Sequence, residues 1–573
     1  MKWTISILIL ILTGSLALAG HPKIAGDLEK ADPKAMVDVI VQYKAGTAVL
    51  SPPHLWARSA RQKLALPSGR TVVVSLPAGE VYALADNPDV ESISLDHQVG
   101  ATAFSGSVDY GWMTVLGMTD PLGQFPLDGT GVTVAVIDSG IDSSYDLASA
   151  GGKHQSRIVY KESFVPGDAS TWDDYGHGTQ VAGIIGGNGA NSTGDGFTYR
   201  IRGIAPNVRF VSLKVLDKTG VGTDSAVIAA IQRAIQLQKK YQIAVINLSL
   251  GRPVYGSYTS DPLCAAVQQA WQAGIVVVVA AGNEGRNNSV GTQGYGTITA
   301  PGNSPYVITV GAMNTVGTLS RGDDKIASYS SKGPTSIDHV IKPDLVAPGN
   351  RILTIRDSGT YLDTNYSANR VPVTVYSNSN SGGASDYYQL SGTSTAAPMV
   401  SGAVALLLQQ VSTLTPDQIK ARLMKTASKL PAASSVAVDP VTGIQYTSQN
   451  DIFTVGAGYL DVQAALANND PADAPALSPT AVYDTSSGVV YLVSGANALW
   501  GSNALWGSTA VWGTNALWGS NALWGSTAVW GTNFVAGSNA LWGSNALWGS
   551  NALWGSGLPV LSEANTIAIN GEN

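Results

Sequence analysis

Four near-continuous apolar runs constrain the fold of this chain more than any other feature. They are Val132–Ile137, Val208–Val215, Ile243–Leu250 and Ile275–Ala281. Strands that helices cover on both faces have this composition, and parallel sheets are the sheets covered in this way. The stretch from Asp224 to Lys239 repeats apolar residues at helical spacing, and Asp224 is its predicted N-cap. The pattern predicts an α/β domain with a mainly parallel central sheet and helices on both faces.

This domain is expected to occupy residues 105–468. A second long helix is predicted from Thr395 to Gln410. The stretch from Ile352 to Leu390 is rich in Ser, Asn, Tyr and Gly, a composition that favours surface loops.

The chain before residue 105 divides into two segments. Residues 1–19 read as a secretory signal peptide, with Lys2, a short apolar run and Ala17-Leu18-Ala19 as the cleavage site. Residues 20–104 alternate strand-like runs with one short helical candidate, which predicts a small α+β unit. The apolar run is too short to span a bilayer comfortably, so we expect cleavage and secretion, to the medium or the cell surface.

Composition limits the partners of the mature chain. The net charge of the full chain is −7, and there is no basic excess to neutralise phosphates, so nucleic acid is not an expected partner. No later stretch reaches about 18 uninterrupted apolar residues, so no transmembrane anchor is expected. The single cysteine, Cys264, excludes an intramolecular disulfide and lies in an apolar helical stretch, where a buried structural thiol is expected.

The C-terminal region has low complexity. Residues 469–496 form a predicted linker, residues 497–556 contain ten hexads, and residues 557–573 are a tail. Nine hexads carry Trp at the fourth position, and Ala536 breaks the series. An even period places every Trp on one face of an extended chain. The variant hexads that begin at Thr509 and Thr527 are 18 residues apart, the spacing that a three-sided β-solenoid would use. Repeats of this kind also occur disordered, and either form would serve to bind a surface or a ligand.

Three short motifs carry groups that could perform chemistry. Asp138 ends an apolar strand before a glycine turn, His177 lies between two glycines before an apolar helix, and Ser394 stands at the start of another helix. Singly, an Asp often caps a turn, a His is more often structural, and a Ser often caps a helix. A helix N-terminus also supplies partial positive charge and a backbone N–H where an oxyanion would develop.

Together, the motifs Asp138-Ser139-Gly140, His177-Gly178-Thr179 and Gly392-Thr393-Ser394 resemble the subtilisin family of serine peptidases. The chain order Asp, His, Ser is the order of that family. The resemblance covers residues 20 to 468 and implies a catalytic triad of Asp138, His177 and Ser394. It also implies that residues 20–104 are an inhibitory propeptide, which the peptidase removes from itself.

Two further segments resemble binding elements of this family. Asn283, in Ala280-Ala281-Gly282-Asn283, matches the asparagine of the oxyanion hole. Ser249, Leu250 and Gly251 resemble the segment that pairs with an extended substrate, which implies broad specificity, with an apolar residue before the cut. The implied partners are therefore protein or peptide substrates and the chain's own propeptide.

Gln180, Thr395 and Met399 depart from the family pattern. The departures bear on specificity and packing rather than on the triad. The resemblance implies no cofactor or metal for catalysis. It leaves open a structural calcium ion near Asp146 and residues 188–195, with no ligands assigned and a composition equally typical of a plain turn.

Two other functions remain as alternatives to a peptidase. A binding or adhesion protein could carry an idle peptidase domain, although every catalytic position is filled here. A glutamate-based relative shares the Gly-Thr-Ser nucleophile motif, but His177-Gly178-Thr179 argues against it.

Overall fold

The computed structural model describes most of the chain between residues 21 and 493. The described residues are 21–44, 57, 59–101, 116, 127–149, 155–289, 291–378, 385–430, 434–439, 443–469, 472, 475–484 and 489–493. The predicted signal peptide, hexad tract and tail lie outside them. No helix in the described ranges is both long and apolar enough to cross a membrane.

The N-terminal unit is an antiparallel sheet with one short helix. Its elements are β1 (Met36–Tyr43), β2 (Arg61–Ala65), β3 (Thr71–Pro77), α1 (Val81–Ala85) and β4 (Val90–Leu95). The strand order is β2-β3-β1-β4, and most of the buried apolar residues of these elements form a core of their own. Ile40 of β1 and Val73 of β3 instead belong to the core of the larger unit. The strands that the sequence predicted in this unit are therefore confirmed.

The larger unit is built on an eight-stranded sheet in which parallel pairs predominate. Further along the chain the strands are β5 (Gln98–Ala101), β6 (Thr133–Asp138), β7 (Ile158–Ser163), β8 (Arg209–Lys214), β9 (Val221–Thr223), β10 (Ile243–Leu248), β11 (Leu250–Gly251), β12 (Val276–Ala280), β13 (Ile308–Asn314), β14 (Lys325–Ile326), β15 (Leu345–Pro348), β16 (Ile352–Ile355), β17 (Tyr387–Leu390), β18 (Ser434–Val438), β19 (Gln445–Gln449), β20 (Thr480–Asp484) and β21 (Val489–Val493). The sheet order is β14-β13-β12-β10-β6-β8-β7, with β15 also paired to β13, and only the β13–β14 pair is antiparallel. The predicted fold class is confirmed.

The helices of this unit pack on the central sheet and on one another. They are α2 (His177–Gly186), α3 (Asp224–Tyr241), α4 (Pro262–Gln272), α5 (Tyr361–Asn365), α6 (Thr393–Gln410), α7 (Pro416–Thr426) and α8 (Val462–Ala467). Helix α6 contacts α2 and the central strands, whereas α3 contacts α4. Every residue of β6, β12 and β13 is buried, because both faces of the sheet are covered. This explains the apolar runs in the sequence.

Two expectations from the sequence are wrong in detail. The N-cap of α3 is Thr223, whose hydroxyl accepts a hydrogen bond from the Ala226 N–H, and Asp224 is the first helical residue. The carboxylate of Asp224 instead pairs with Arg252, 2.9 Å away. The stretch 352–390 is not all surface loop, because its two ends form a buried antiparallel pair, β16 and β17.

The predicted linker is in part packed against the larger unit. The Ile341 N–H donates to the Pro479 carbonyl at 2.8 Å, and the Ala481 N–H donates to the His339 carbonyl at 2.9 Å. Residues 480–484 then pair with β21 as a hairpin. This stretch is therefore held by backbone hydrogen bonds to the domain.

A buried charge cluster fixes the same stretch. The Ser478 hydroxyl donates to Asp344 Oδ1 at 2.5 Å, and Lys420 Nζ lies 2.8 Å from the Ser478 oxygen. Lys342 Nζ donates to the other oxygen of Asp344 at 2.6 Å. Burial lowers the pKa of Lys342 to about 7, and the Asp344 charge opposes this shift. Ser478 is thus part of the hydrogen bonding that keeps two lysines and a carboxylate inside the protein.

Two truncations test this boundary. A chain that ends after Val493 should unfold at the same temperature as the full chain, because it retains Ser478 and the β20–β21 hairpin. A chain that ends after Asn468 should unfold about 5 °C lower or more, because the buried charge cluster loses a partner. Thermal unfolding followed by circular dichroism measures both. Equal midpoints for the two truncations would show that residues 469–493 are a free linker.

Candidate active site

Asp138 and His177 meet where strand β6 ends and helix α2 begins. Nδ1 of His177 lies 2.7 Å from Oδ1 of Asp138, and neither side chain is exposed. The Ser139 N–H donates to the same carboxylate oxygen at 2.8 Å. With Nδ1–H donated to Asp138, Nε2 is the basic atom of the ring. No residue in the described part of the chain forms a hydrogen bond with that Nε2.

Glycines allow the two motifs to approach each other by their backbones. A Cβ on Gly178 would lie 2.1 Å from the carbonyl oxygen of Gly140, so only glycine fits at this position of α2. The Gly178 N–H also donates to the Ser139 hydroxyl at 2.9 Å. Gly176, the N-cap of α2, has φ of +96°, which is strained for other residues. Glycine is therefore required on both sides of His177, at Gly178 by close packing and at Gly176 by the backbone conformation.

Asp173, which the sequence did not single out, organises the turn before His177. Its Oδ1 accepts from the Gly176 N–H and its Oδ2 from the Thr179 N–H, both at 2.7 Å. Burial raises the pKa of Asp173. A carboxylate followed by a glycine turn and a threonine was the available sequence signal.

A second carboxyl, that of Asp357, reaches the same threonine. The Thr179 hydroxyl lies 2.7 Å from Asp173 Oδ2 and 2.9 Å from Asp357 Oδ2. A hydroxyl has only one proton to donate, so one of these carboxyls must itself carry a proton. Asp173 already accepts two backbone N–H groups, which favours its anion, so the proton resides on Asp357. Burial and the charge of Asp173 raise the pKa of Asp357 to about 8.

Ser394 is the second residue of α6 and is completely buried. Its carbonyl oxygen accepts a hydrogen bond from the Ser249 hydroxyl at 2.8 Å. That hydroxyl accepts in turn from Asn247, which accepts from Ser401 about two turns further along α6. The Ser249 side chain thus holds the first turn of α6, whereas Leu250 and Gly251 form β11. Since α2 and α6 pack together, Ser394 and His177 are carried by contacting helices.

The Asn283 side chain is oriented by the residue before Ser394. The N–H and the hydroxyl of Thr393 both donate to Asn283 Oδ1, at 3.0 and 2.9 Å. A backbone N–H can only donate, so the bonded atom is the amide oxygen, and Nδ2 is the other branch. Gly282, with φ of +106°, turns the chain from β12 to bring Asn283 to this place.

Strand β5 of the N-terminal unit lies between β11 and β9 of the larger unit. Gly100 pairs antiparallel with Gly251 on one side and with Val221 on the other, and Ala101 pairs with Leu250. The N-terminal unit thus adds a strand directly beside the segment that contains Ser249. The segment predicted to pair with a substrate is occupied by the chain's own backbone.

The residues that depart from the family pattern are all buried. Met399 lies in the core, and the Thr395 hydroxyl oxygen lies 2.9 and 2.8 Å from the Gly349 and Gly392 carbonyl oxygens. The Gln180 amide has no hydrogen-bond partner among the described residues. Cys264 is buried, as predicted. Over the described ranges, no group of three or more His, Cys, Asp or Glu side chains could hold a metal ion.

Comparison with known proteins identifies the class. The sequence model of the Subtilase family matches residues 129–456, more than half of the chain. The chain is 39% identical to serine protease AprX of Bacillus subtilis over 308 residues, which are 53% of this chain and 62% of AprX. It is 34% identical to subtilisin DY of Bacillus licheniformis over 338 residues, 59% of this chain and 91% of that relative.

A solved structure gives the same fold. Fervidolysin from Fervidobacterium pennivorans, described as a keratinolytic enzyme related to subtilisin, matches with a TM-score of 0.56 and 22% identity. The match covers 79% of this chain and 63% of fervidolysin. The chain therefore belongs to the subtilase family, and its enzyme class is that of the serine endopeptidases.

Replacement of Gly178 tests the backbone contact between the two motifs. Gly178→Ala should lower kcat/KM on a peptide substrate by about tenfold or more, because the new Cβ displaces His177 from its position by a fraction of an ångström. Gly256→Ala is the matched control, since its Cβ would meet nothing closer than 3.9 Å. Normal activity of Gly178→Ala, measured together with an unchanged unfolding temperature, would contradict the close approach.

Proposed function

We propose that the protein is a secreted serine endopeptidase that hydrolyses peptide bonds through an acyl-enzyme intermediate. Asp138, His177 and Ser394 act as the catalytic triad. The chemistry requires no cofactor, because the base, the nucleophile and the oxyanion donors all come from the chain. The observation that carries the proposal is the added strand β5, which lies between β9 and β11 in the manner of an extended substrate.

The mechanism follows from the roles of the three side chains. His177 Nε2 removes the proton of the Ser394 hydroxyl as its oxygen attacks the peptide carbonyl. Asp138 holds Nδ1–H and stabilises the imidazolium that forms. His177 then delivers its proton to the departing amine, and water releases the acyl group by the same route in reverse.

Stabilisation of the oxyanion falls to two donors beside the nucleophile. One is the N–H of Ser394 in the first turn of α6, where the helix also supplies partial positive charge. The other is Asn283 Nδ2, whose orientation is fixed because Thr393 holds Oδ1. A donor of this kind contributes a factor of about 10²–10³ in kcat.

Substrate binding by strand addition predicts broad specificity. Main-chain hydrogen bonds to β11 and β9 hold any sequence alike, so the side chains select only at separate pockets. We propose an apolar preference at the residue before the cut. Gly251 itself cannot carry a side chain, because a Cβ would lie 2.5 Å from the Thr299 hydroxyl.

Residues 20–104 are proposed to be a propeptide that the enzyme removes from itself. Its own core and its strand β5 support a unit that folds against the peptidase and blocks the substrate position. Because β5 ends at Ala101 next to Ser249, we expect the cut within a few residues after Ala101. The hexad tract is proposed to bind a surface or a ligand and to take no part in catalysis.

The alanine variant of the nucleophile tests both activity and maturation. Ser394→Ala should lose peptidase activity by several orders of magnitude and, expressed where other proteases are absent, should keep residues 20–104. Casein hydrolysis, with a serine-directed inhibitor as a parallel arm, and N-terminal sequencing measure the two effects. Normal N-terminal processing in Ser394→Ala would refute self-cleavage, and retained hydrolysis would refute the triad.

Two titratable groups lie between the proposed propeptide and the peptidase domain. His97 Nε2 contacts Asp27 at 2.7 Å, and its Nδ1 faces Asp224 at 3.3 Å. Burial lowers the pKa of His97, but the hydrogen bonds to Asp224 and Asp27 outweigh it, so the pKa is raised, although Arg252 opposes them.

The neighbouring Asp96 titrates in the same direction. It accepts from the N–H and the hydroxyl of Ser225, at 2.8 and 2.5 Å. Burial, with smaller contributions from Asp224 and Asp38, raises the pKa of Asp96 to about 6. Both Asp96 and His97 thus bind protons more tightly in the packed interface than in solvent. The interface is therefore strongest at acid pH and weakens as the pH rises through these pKa values.

Release of the cleaved propeptide should accordingly speed up as the pH rises from about 5 to 8. The lag before hydrolysis of a small peptide substrate measures that release. His97→Gln removes one titrating group and should flatten the pH dependence, whereas His21→Gln, in the same unit, should preserve it. A lag that shortens toward acid pH would show that the linkage has the opposite sign.

A further inference from the structure

A buried arginine, Arg157, binds backbone carbonyls at the end of α2 and in two neighbouring segments. Arg157, only 6% exposed, precedes β7 and directs its guanidinium group at four backbone carbonyls. Nε donates to Ala148 at 3.2 Å, and Nη1 donates to Val208 at 2.7 Å. Nη2 donates to the Asp146 and Gly186 carbonyls, at 2.8 and 2.6 Å. One cation thus joins three chain segments, as a bound metal ion would.

The carboxylate of Asp146 is also fully engaged by protein donors. Its Oδ1 accepts from the Asn191 N–H at 2.8 Å, and its Oδ2 accepts from the Tyr387 hydroxyl at 2.9 Å. Burial raises the pKa of Asp146 to about 6, so the group is anionic at neutral pH. Its charge is balanced within the protein, since Arg157 lies nearby.

Oxygens of Asn188 and Gly189 in the loop that follows α2 are held in the same way. The Asn188 carbonyl accepts from Arg200 Nη2 at 2.6 Å, and its Oδ1 accepts from the Ala190 N–H at 2.9 Å. The Gly189 carbonyl accepts from the Thr193 hydroxyl at 2.6 Å. Asp195, the remaining carboxylate of residues 188–195, is exposed.

These donors do not suit calcium. A calcium ion needs six to eight oxygen ligands with lone pairs converging on one point. Here each carboxylate oxygen of Asp146 accepts from an N–H or O–H donor, and the cation beside this carboxylate is the guanidinium of Arg157, which donates to the Asp146 carbonyl. The residues present therefore do not fit the structural calcium ion that the family resemblance left open near Asp146 and residues 188–195.

We propose that Arg157 replaces a structural cation in this loop, so that the folded domain does not depend on calcium there. Burial lowers the pKa of Arg157 to about 10, which still leaves the guanidinium charged at neutral pH. Gly186 is the last residue of α2, and a positive charge at a helix C-terminus is favourable. Arg157 therefore anchors the far end of the helix that begins at His177.

Thermal unfolding of the full chain tests the replacement. The Ser394→Ala background prevents self-digestion, and the midpoint is measured in excess EDTA and in excess calcium chloride. A ligand that binds only the folded state raises the unfolding midpoint. Because no calcium is expected to bind at this loop, the two midpoints should agree within about 1 °C. A fall of about 5 °C or more in EDTA that calcium reverses would overturn the proposal.

Variants of the arginine provide the second arm. Arg157→Met should lower the midpoint by about 5 °C or more in both solutions, because four buried carbonyls lose their donor. Arg157→Lys keeps the charge but loses the planar guanidinium group that reaches four carbonyls at once, so its midpoint should fall between those of Arg157→Met and the parent. Arg233→Met, at a partly exposed pair with Glu162, is the matched control and should change less. An Arg157→Met midpoint equal to that of the control would overturn the proposal, and failure of Arg157→Met to fold leaves the EDTA comparison decisive.

Discussion

The backbone contact between the end of β6 and the start of α2 is the constraint on which the site depends. Gly178 lies against the Gly140 carbonyl, and this approach brings the His177 ring to 2.7 Å from Asp138. Because the His177 and Asp138 side chains are both buried, their contact depends on this backbone packing. The parallel sheet supplies the geometry, since the carboxyl end of a strand and the N-terminus of a helix meet at its edge.

Buried charges, rather than apolar contacts, hold the segments that frame this edge. Arg252 binds Asp224 and Asp261 at 2.9 and 2.7 Å, and so ties the start of α3 and the start of α4 to the end of β11. Arg157 does the same for the end of α2. Loops cannot bury enough apolar surface to order themselves, and a guanidinium with five donors satisfies several carbonyls or carboxylates at once.

The N-terminal unit uses the same edge. His97 faces Asp224, which also pairs with Arg252. Strand β5 pairs with β11, whose two residues immediately precede Arg252. Occupation of the substrate strand and protonation at the interface therefore involve one connected group of residues. The two units therefore share hydrogen bonds at this edge, although each has an apolar core of its own.

The sequence by itself determined the sheet, the helices and the three motifs, because burial on both faces demands apolar runs and close backbone approach demands glycine. It misplaced the cap of α3 and the character of residues 352–390, since the Asp224 carboxylate pairs with Arg252 and the distant strands β16 and β17 pair as a buried two-stranded sheet. Only the tertiary structure decided that Asp173 and Asp357 both contact the Thr179 hydroxyl, and that Arg157 binds the carbonyls of Asp146 and Gly186. These contacts join residues from distant segments, and no local pattern encodes such pairings.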